Sequence, residues 1–507
     1  MITKIIFLLV FFAIMVAVGV YSRKHATNVN DFVLGGRSVG PWLTAFAYGT
    51  SYFSAVVFVG YAGQFGYKYG LSATWIGIGN AVIGSLLAWV ILGRRTRVMT
   101  NHLSAATMPD FFGKRYDSKA LRIAASAIAF IFLIPYTASV YNGLSRLFEM
   151  AFDVPYTVCV IAMAALTCVY VVLGGYMATA INDFIQGIIM LFGIVAVIVA
   201  VLNGQGGFYE AVKSLAEFES DSALTMGQKG VFASFFGPDL PNLLGVVVLT
   251  SLGTWGLPQM VHKFYAIKDE KSIKSGTIIS TIFAIVVSGG CYFLGGFGRL
   301  FDTPAIYKDG KIVYDAIVPS MLSTLPDILV GIVIVLVLSA SMSTLSSLVL
   351  TSSSTLTLDL IKDNIIKDMN EKKQLLCMRI MLVFFLAISV IIALDPPTFI
   401  AQLMGISWGA LAGAFLAPFM YGLYWKGVTK ASVWASFICG VAITVSNMFF
   451  KFIASPINAG AIAMIAGLIV VPVVSLITPK MKKEKVDAIF TCMDETVVVH
   501  RRSSIEE

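Results

Sequence analysis

The sequence carries little charge for its length, and this shortage excludes most soluble proteins. Only 13% of the 507 residues are charged, whereas 58% are hydrophobic and the mean hydropathy is +0.85. A soluble domain of average composition has about 25% charged residues. The chain therefore lacks the charge to cover a water-facing surface of its size. It is predicted to be an integral membrane protein, which also excludes a disordered chain and a secreted disulfide scaffold.

Patterns that serve catalysis and metal binding are also scarce. The chain has four histidines and six cysteines, without a CxxC, HExxH or GxxxxGKS/T pattern. Zinc, nucleotide and thiol-redox chemistry therefore lack their usual signatures. An enzyme would need polar groups that converge near a membrane interface, and a receptor would need a cytoplasmic output domain. We predict a protein that is not an enzyme, with a membrane receptor or enzyme as the alternative from another class.

Long apolar segments dominate the rest of the chain. A spanning helix needs about 20 mostly apolar residues, because the hydrocarbon core is about 30 Å thick. Thirteen segments meet this requirement, near residues 3–21, 40–66, 71–93, 120–150, 154–174, 177–203, 241–266, 274–299, 326–358, 376–394, 398–424, 430–450 and 459–478. We predict one transmembrane domain over 1–480, with polar stretches at 204–240 and 300–325 and a poorly ordered tail at 481–507.

The basic residues are distributed unevenly between the two sides of the predicted bundle. Thirteen spans place the termini on opposite sides, and about 27 of the 36 Lys and Arg residues then fall on one side, Lys263–Lys274 among them. The positive-inside rule makes that side cytoplasmic, with the N-terminus outside and the C-terminus inside. The net charge of +8 is therefore explained by topology, and nucleic-acid binding is not expected.

Two predicted spans are interrupted at matching positions. The second span contains Tyr48–Ser54 halfway along, and the seventh contains Gly253–Pro258. Gly, Ser and Thr weaken a helix, while Pro removes a backbone donor. Two broken helices five spans apart are typical of an inverted repeat of five helices, whose breaks line a binding site. A pair of harmless kinks is the alternative.

Two polar features inside the spans point to cations. Ser343, Thr344, Ser346 and Ser347 lie within about one turn of the ninth span. Such neutral oxygens, together with freed carbonyls, suit sodium better than a divalent ion, although small hydroxyl residues also allow close helix packing. The sixth span carries Asp183, and an acid within the membrane is either functional or an interfacial cap. We expect no Lys or Arg near it in the neighbouring span centres.

With these segments in hand, the chain resembles the sodium/solute symporter family, and its nearest similarity is to the sodium/proline symporter branch. The resemblance covers about residues 30 to 450. It rests on the segments Phe32–Ser38, Gly93–Val98, Thr107–Tyr116 and Gly174–Ala178, followed by Asp183, Ser343-Thr344 and Trp408-Gly409. It implies an all-α membrane protein of about 13 helices with a five-plus-five inverted repeat (LeuT-type) core, the repeats lying at about 40–203 and 241–424.

The resemblance also implies ion sites. The first sodium ion would lie between the broken second span and the ninth span. Its ligands would be the backbone oxygens of Thr50, Phe53 and Ala340 and the hydroxyls of Ser343 and Thr344. Some relatives hold a second sodium ion with an acid on the sixth span and further serines. Here the matching residues are Asp183, Ser343, Ser346 and Ser347. One or two sodium ions are therefore expected.

The predicted substrate site surrounds the two breaks. Its residues are Ser54, Val56, Tyr136, Trp255, Pro258, Gln259 and Trp408. The sugar-transporting branch has Gln and Asn where this chain has Val57 and Pro258, which argues against sugars. The proline branch has Asp and Trp where this chain has Tyr52 and Val56, whereas Tyr136 and Pro258 match that branch.

These features predict a sodium-coupled symporter that works by alternating access. Its solute is expected to bear one carboxylate, as an amino acid such as proline or a monocarboxylate such as a vitamin acid does, because exposed helix N-termini favour carboxylates and aromatic faces suit apolar or ammonium groups. A sugar or sialic acid is the alternative. The expected partners are sodium, the solute and the lipid bilayer. A monomer should suffice, in a bacterial inner (plasma) membrane.

Overall fold

Helices make up nearly all of the computed structural model, which describes residues 2–23, 27–152, 154–362, 364–366, 368–395 and 399–497. The α-helices are α1 (Ile2–Ser22), α2 (Val29–Leu34), α3 (Pro41–Tyr52), α4 (Ala62–Tyr69), α5 (Thr74–Gly79), α6 (Arg94–His102), α7 (Met108–Arg115), α8 (Lys119–Phe152), α9 (Tyr156–Gly204), α10 (Phe208–Ala216), α11 (Leu240–Gly256), α12 (Pro258–Tyr265), α13 (Glu270–Ala284), α14 (Gly290–Gly295), α15 (Ile317–Ser323), α16 (Asp327–Thr355), α17 (Glu371–Leu394), α18 (Ile400–Tyr424), α19 (Lys430–Phe450), α20 (Pro456–Ile477) and α21 (Lys483–Phe490). Wider π-helical segments extend several of them, at Val56–Tyr61, Asn80–Leu87, Trp89–Gly93, Ile285–Gly289 and Leu356–Ile361.

The helix lengths and apolar content fit a protein that crosses a membrane many times. Within the described residues, ten helices are long and apolar enough to span a bilayer, or eleven if the bent pair α11 and α12 counts as one span. The apolar windows of α16 and α18 are mostly buried, whereas only a third or less of those of α1, α17 and α19 is buried. We infer that α16 and α18 form the centre of the bundle and that the others face lipid.

Both interruptions predicted from the sequence are present. The chain leaves the helical conformation at Phe53, between α3 and the π-helical segment that leads into α4. In the other span, Leu257 is extended and α12 is bent by 45° from α11. Pro258 is the first residue of α12, where its missing N–H has no helical partner to lose.

The predicted fifth and sixth spans form one long helix with a break at a glycine. Gly175 has φ 53° and ψ −145° inside α9, a conformation that side-chain-bearing residues avoid. A Cβ at this position would also lie 2.7 Å from the Phe32 ring and 2.9 Å from its carbonyl oxygen. Glycine is thus required here twice over, by its backbone conformation and by the close approach of α2.

Glycines also allow backbone contact between the outer part of the second span and the eighth span. A Cβ on Gly66 of α4 would lie 2.0 Å from the carbonyl group of Gly295 in α14. A Cβ on Gly295 would lie 2.1 Å from the Ala62 carbonyl oxygen. The two helices therefore pack main chain against main chain.

The expectation of a poorly ordered tail needs correction, whereas the two long polar stretches are structured, as their length allows. The stretches 204–240 and 300–325 contain structure of their own, namely α10, α15 and a hairpin that pairs Tyr307–Lys308 with Lys311–Ile312. The tail is ordered as far as it is described, since α21 is held by ion pairs of 2.6 Å from Lys426 to Asp487 and from Lys485 to Asp117. The rest of the predicted tail, 498–507, lies outside the described residues.

Arginines of the family-like segments tie the loops at one end of the bundle. Arg37 donates to the carbonyl oxygens of Ala105 at 2.6 Å and Tyr265 at 3.2 Å. Arg97 donates to that of Ile267 at 2.6 Å. Both guanidinium groups are buried, so these segments hold the fold together at the end of the bundle that carries most of the Lys and Arg residues.

Candidate functional site

The break in the second span frees backbone carbonyls next to α16. In a continuous helix the carbonyls of Thr50 and Ser51 would accept from the N–H groups four residues on. Because the helix ends at Tyr52, that pairing is lost. Beyond the break, Ser54 restarts the helix: its hydroxyl accepts from the N–H of Val56 at 3.1 Å.

Two hydroxyls of α16 take the place of the missing donors. Ser343 Oγ donates to the carbonyl oxygens of Thr50 at 3.1 Å and Ala340 at 3.0 Å. Thr344 Oγ1 lies 3.3 Å from the carbonyl oxygens of both Thr50 and Ser51 and 3.1 Å from that of Ala340. These five neutral oxygens, from Thr50, Ser51, Ala340, Ser343 and Thr344, are called here the helix-break oxygen group.

The helix-break oxygen group contains four of the five residues predicted for the first sodium site. The fifth, Phe53, stands at the break itself, where its N–H donates to the Gly49 carbonyl at 3.3 Å. Ser51 is an addition that the sequence did not indicate. All six residues are buried. A monovalent hard cation suits a buried set of neutral oxygens, because a divalent ion favours several carboxylates.

The residues predicted for a second sodium site surround a lysine. Lys263 Nζ lies 3.6 Å from Asp183 Oδ2 and donates to Ser347 Oγ at 2.9 Å. Ser346 points elsewhere, since its hydroxyl donates to the Ser343 carbonyl at 2.9 Å. The expectation that no basic side chain lies near Asp183 is therefore wrong. Lys263, which the sequence analysis counted with the cytoplasmic loop residues, is buried in α12.

Aromatic rings gather beside the two breaks. The Trp408 ring lies 5.6 Å from that of Tyr52 and 5.8 Å from that of Tyr136, between ring centres. A Cβ on Gly253 would lie 2.6 Å from the Trp408 ring, so α11 packs directly against it. The structure thus joins two predicted substrate residues, Tyr136 and Trp408, to the break in the second span through Tyr52.

Several polar atoms at the predicted substrate site have no hydrogen-bond partner among the described residues. They are the Tyr136 hydroxyl, the Trp408 Nε1 and both amide atoms of Gln259. Buried polar groups are nearly always paired, so such atoms call for water or a ligand. Trp255 differs, because its Nε1 donates to the Ile83 carbonyl at 2.9 Å and is thereby engaged by the protein itself.

Known proteins resemble this chain along most of its length. The profile of the Sodium:solute symporter family matches residues 32–440. Sodium/proline symporters of Staphylococcus aureus strains JH9 and COL are 31% identical over 496 residues, which cover 94% of this chain and 93% of theirs. The chain belongs to the sodium:solute symporter family. Membership makes it a multi-pass membrane transporter rather than an enzyme, and it confirms the resemblance stated from the sequence.

Solved structures show that this symporter shares its fold with other transporters. A Na+-coupled sialic acid symporter in a substrate-bound outward-open state has a TM-score of 0.75 at 16% identity, covering 95% of this chain and 99% of that one. Mhp1, a nucleobase-cation-symport-1 family transporter, has a TM-score of 0.51 at 12% identity, covering 90% and 97%. At these identities the similarity concerns the fold alone.

Lys263 and Ser51 are the symporter residues that sequence reasoning missed. A signal for Lys263 existed, because the residue falls inside the predicted span 241–266, and a buried acid requires a cation nearby. No comparable signal marks Ser51. Its carbonyl joins the helix-break oxygen group only because the helix ends one residue later.

Proposed function

We propose that this symporter couples sodium entry to the uptake of a small organic solute that bears one carboxylate. The observation that carries the proposal is the helix-break oxygen group, which joins the broken α3 to α16 through neutral oxygens. A cation there would satisfy the freed carbonyls and link the two helices. Sodium, the coupling ion of the family, is therefore proposed at Thr50, Ser51, Ala340, Ser343 and Thr344, with Phe53 beside them.

The proposed solute is an amino acid such as proline or a monocarboxylate. Two features support it: relatives 31% identical are sodium/proline symporters, and the predicted substrate residues are all uncharged, with three aromatic rings among them. The solute is proposed to lie between Ser54 and Val56 at one break and Pro258 and Gln259 at the other. It would pack against the aromatic rings of Tyr136, Trp255 and Trp408. A sialic acid remains the second candidate, because the sialic acid symporter shares the fold.

We further propose thirteen spans in a five-plus-five inverted repeat. Eleven spans result when the bent pair α11 and α12 counts once. Dividing α9 at Gly175 and the helical stretch Val56–His102 at Gly70, with α3 joined to the part before Gly70, gives thirteen. The end of the bundle rich in Lys and Arg is then cytoplasmic, with the N-terminus outside. A monomer in a bacterial plasma membrane is proposed to carry out the whole cycle.

Coupling follows from the shared position of the ion and solute sites. Sodium in the helix-break oxygen group would fix the backbone from Thr50 to Phe53, the segment that also positions Ser54 and Tyr52 beside the solute. The ion and the solute then stabilise the same conformation, so each raises the affinity of the other by the same factor. The sodium gradient and the membrane potential drive the change of the loaded protein to the inward-facing state, where the ion and the solute are released.

The test is uptake into proteoliposomes with an imposed sodium or potassium gradient. We expect sodium, and not potassium, to drive uptake of proline or of another member of a panel of amino acids and monocarboxylates. Ser343→Ala and Thr344→Ala should each raise the sodium concentration for half-maximal uptake about five- to 150-fold, because a buried oxygen site that loses one partner costs about 1–3 kcal/mol.

Ser341→Ala is the matched control. Ser341 is buried on the same helix, but its hydroxyl donates to the Val337 carbonyl of that helix at 2.7 Å, so its loss should leave the sodium dependence unchanged. Uptake of glucose or galactose without competition from any carboxylate would contradict the proposed substrate. Equal uptake under both cation gradients would contradict the sodium site.

A further inference from the structure

A buried ion pair lies beside the helix-break oxygen group. Asp183 of α9 and Lys263 of α12 have exposed side-chain fractions of 0% and 2%, and their charged atoms are 3.6 Å apart. The lysine also donates to Ser347 Oγ at 2.9 Å, and Ser347 shares a hydrogen bond of 2.7 Å with Ser51 Oγ. The ring of Tyr176 lies 5.3 Å from the ammonium nitrogen. The pair therefore connects four helices: α3, α9, α12 and α16.

The Asp183–Lys263 pair lies about one helical turn of α16 from the helix-break oxygen group. Ser347 follows Ser343 by four residues on α16, which is about one turn or 6 Å along the axis. Ser51 belongs to both groups: its carbonyl lies in the helix-break oxygen group, while its hydroxyl contacts Ser347. A carboxylate with neighbouring hydroxyls is a set of oxygens that suits a cation, and a cationic group already stands in it.

We propose that the Lys263 ammonium is a tethered cation that fills this second position, so that the protein carries one sodium ion per solute. The inference rests on the proposed function and specifies its ion count. Asp183 cannot stay ionised in the bundle without a cation, and the lysine supplies that cation permanently. A sodium ion entering the same oxygens would be repelled by the ammonium at close range. Because Lys263 is covalently attached to α12, its charge is not released with the solute.

The inference predicts what happens when the lysine is removed. Lys263→Met leaves a long apolar side chain but no charge, so Asp183 and Ser347 become available to a mobile cation. We expect this variant to bind two sodium ions, and the double variant Asp183→Asn with Lys263→Met to return to one. Lys426→Met is the matched control, because Lys426 is 57% exposed and pairs with Asp487 outside the bundle at 2.6 Å.

Two measurements test it. Equilibrium binding of radioactive sodium to purified protein should give one ion for the parent, the Lys426→Met control and the double variant, and two for Lys263→Met. Reversal potentials of uptake in proteoliposomes should give the same ratios. Two sodium ions bound by the parent would overturn the inference even if Lys263→Met does not fold. A single ion bound by a folded Lys263→Met variant would overturn it as well.

Failure of the proposed function would look different. In that case the parent would bind no sodium, and a sodium gradient would drive no uptake. Sodium-driven uptake with two ions per solute would instead leave the proposed function standing and reject only the role given to Lys263.

Discussion

At the scale of single residues, the helix-break oxygen group shows how a hydroxyl serves two purposes. Ser343 and Thr344 satisfy backbone carbonyls that the broken helix leaves without N–H donors. The same oxygens keep lone pairs for a cation, since a hydroxyl both donates and accepts. Hydroxyl side chains thus stabilise the break in an apolar surrounding and would provide ligands to the proposed ion.

Asp315 gives a pH-dependent prediction outside the spans. Burial raises the pKa of this carboxyl to about 6, from an ordinary 3.8, although the Ile400 N–H at 3.3 Å lowers it in part. The folded protein therefore holds the proton to a higher pH than the unfolded chain does. Its stability should fall as the pH rises from about 4 to 6 and stay lower above that range.

Asp315→Asn removes this penalty because an amide does not ionise and can still accept from Ile400. We expect a higher midpoint of thermal unfolding at pH 8, by the equivalent of about 1–3 kcal/mol, and a much smaller gain at pH 4. Asp309→Asn, at an exposed position of the same loop, should change neither value. A gain of equal size at both pH values would rule out ionisation as its cause.

Single residues also show where sequence reasoning stopped. Ser343 and Thr344 were predictable, because their types and spacing mark a hydroxyl-rich helix, whereas Thr50 and Ala340 followed only from the family resemblance. The partner of Asp183 was not found, because counting basic residues by loop placed Lys263 at the membrane surface. Only the bend at Leu257 and the packing of α12 bring its ammonium back towards α9.

At the scale of elements, the two broken spans are maintained in different ways. The break before Pro258 is encoded locally, since proline lacks the N–H that would continue the helix. The break at Phe53 has no proline, and contacts from α16 stabilise it instead. The sequence therefore predicted the position of the break before Pro258 closely, whereas the exact end of α3 depends on tertiary contacts.

Pro258→Ala should repair the helix in the seventh span. The regained N–H can donate to the Thr254 carbonyl four residues earlier, which would draw Leu257 out of its extended conformation. We expect uptake to fall at least about tenfold through misplacement of the substrate site, while the midpoint of thermal unfolding stays equal or rises. Both are measured on the same preparation.

Pro472→Ala is the control for that substitution. Pro472 lies within the long helix α20 and is only partly buried, so its replacement should leave uptake unchanged. A Pro258→Ala variant that transports at the parental rate would show that the bend does not position the solute.

At the scale of the whole molecule, the two ends of the bundle are unlike. On the end proposed to be cytoplasmic, the buried Asp359 accepts from Arg122 at 2.9 Å and from Thr107 at 2.5 Å. This contact ties the end of the ninth span to α7 and α8. At the opposite end, a cavity of about 430 Å³ opens between the second and seventh spans, with Lys68, Asp239 and Arg299 in its lining.

Asp359→Asn should weaken the contact of the ninth span with α7 and α8 and shift the protein towards a state open to the cytoplasm. The neutral amide keeps the shape but removes the nearer of two carboxylates that pair with Arg122, at 2.9 Å, and leaves Asp110 at 3.5 Å. A cysteine at Thr351, two turns earlier on α16 and buried, should then react faster with a membrane-impermeant thiol reagent in inside-out vesicles, in a background without native cysteines. Asp487→Asn, in an exposed pair with Lys426, should leave that rate unchanged.

The glycine contact between α4 and α14 limits how these two helices of the symporter can move relative to each other. At Gly66 and Gly295 no side chain lies between the two helices that could change rotamer and let them slide, so we expect α4 and α14 to move together. This unit includes the part of the second span beyond the break, and we expect it to pivot where that span is already discontinuous, at Phe53–Ala55. The expected hinge then adjoins Thr50 and Ser51 of the proposed ion site, so a cation bound there would oppose the rotation.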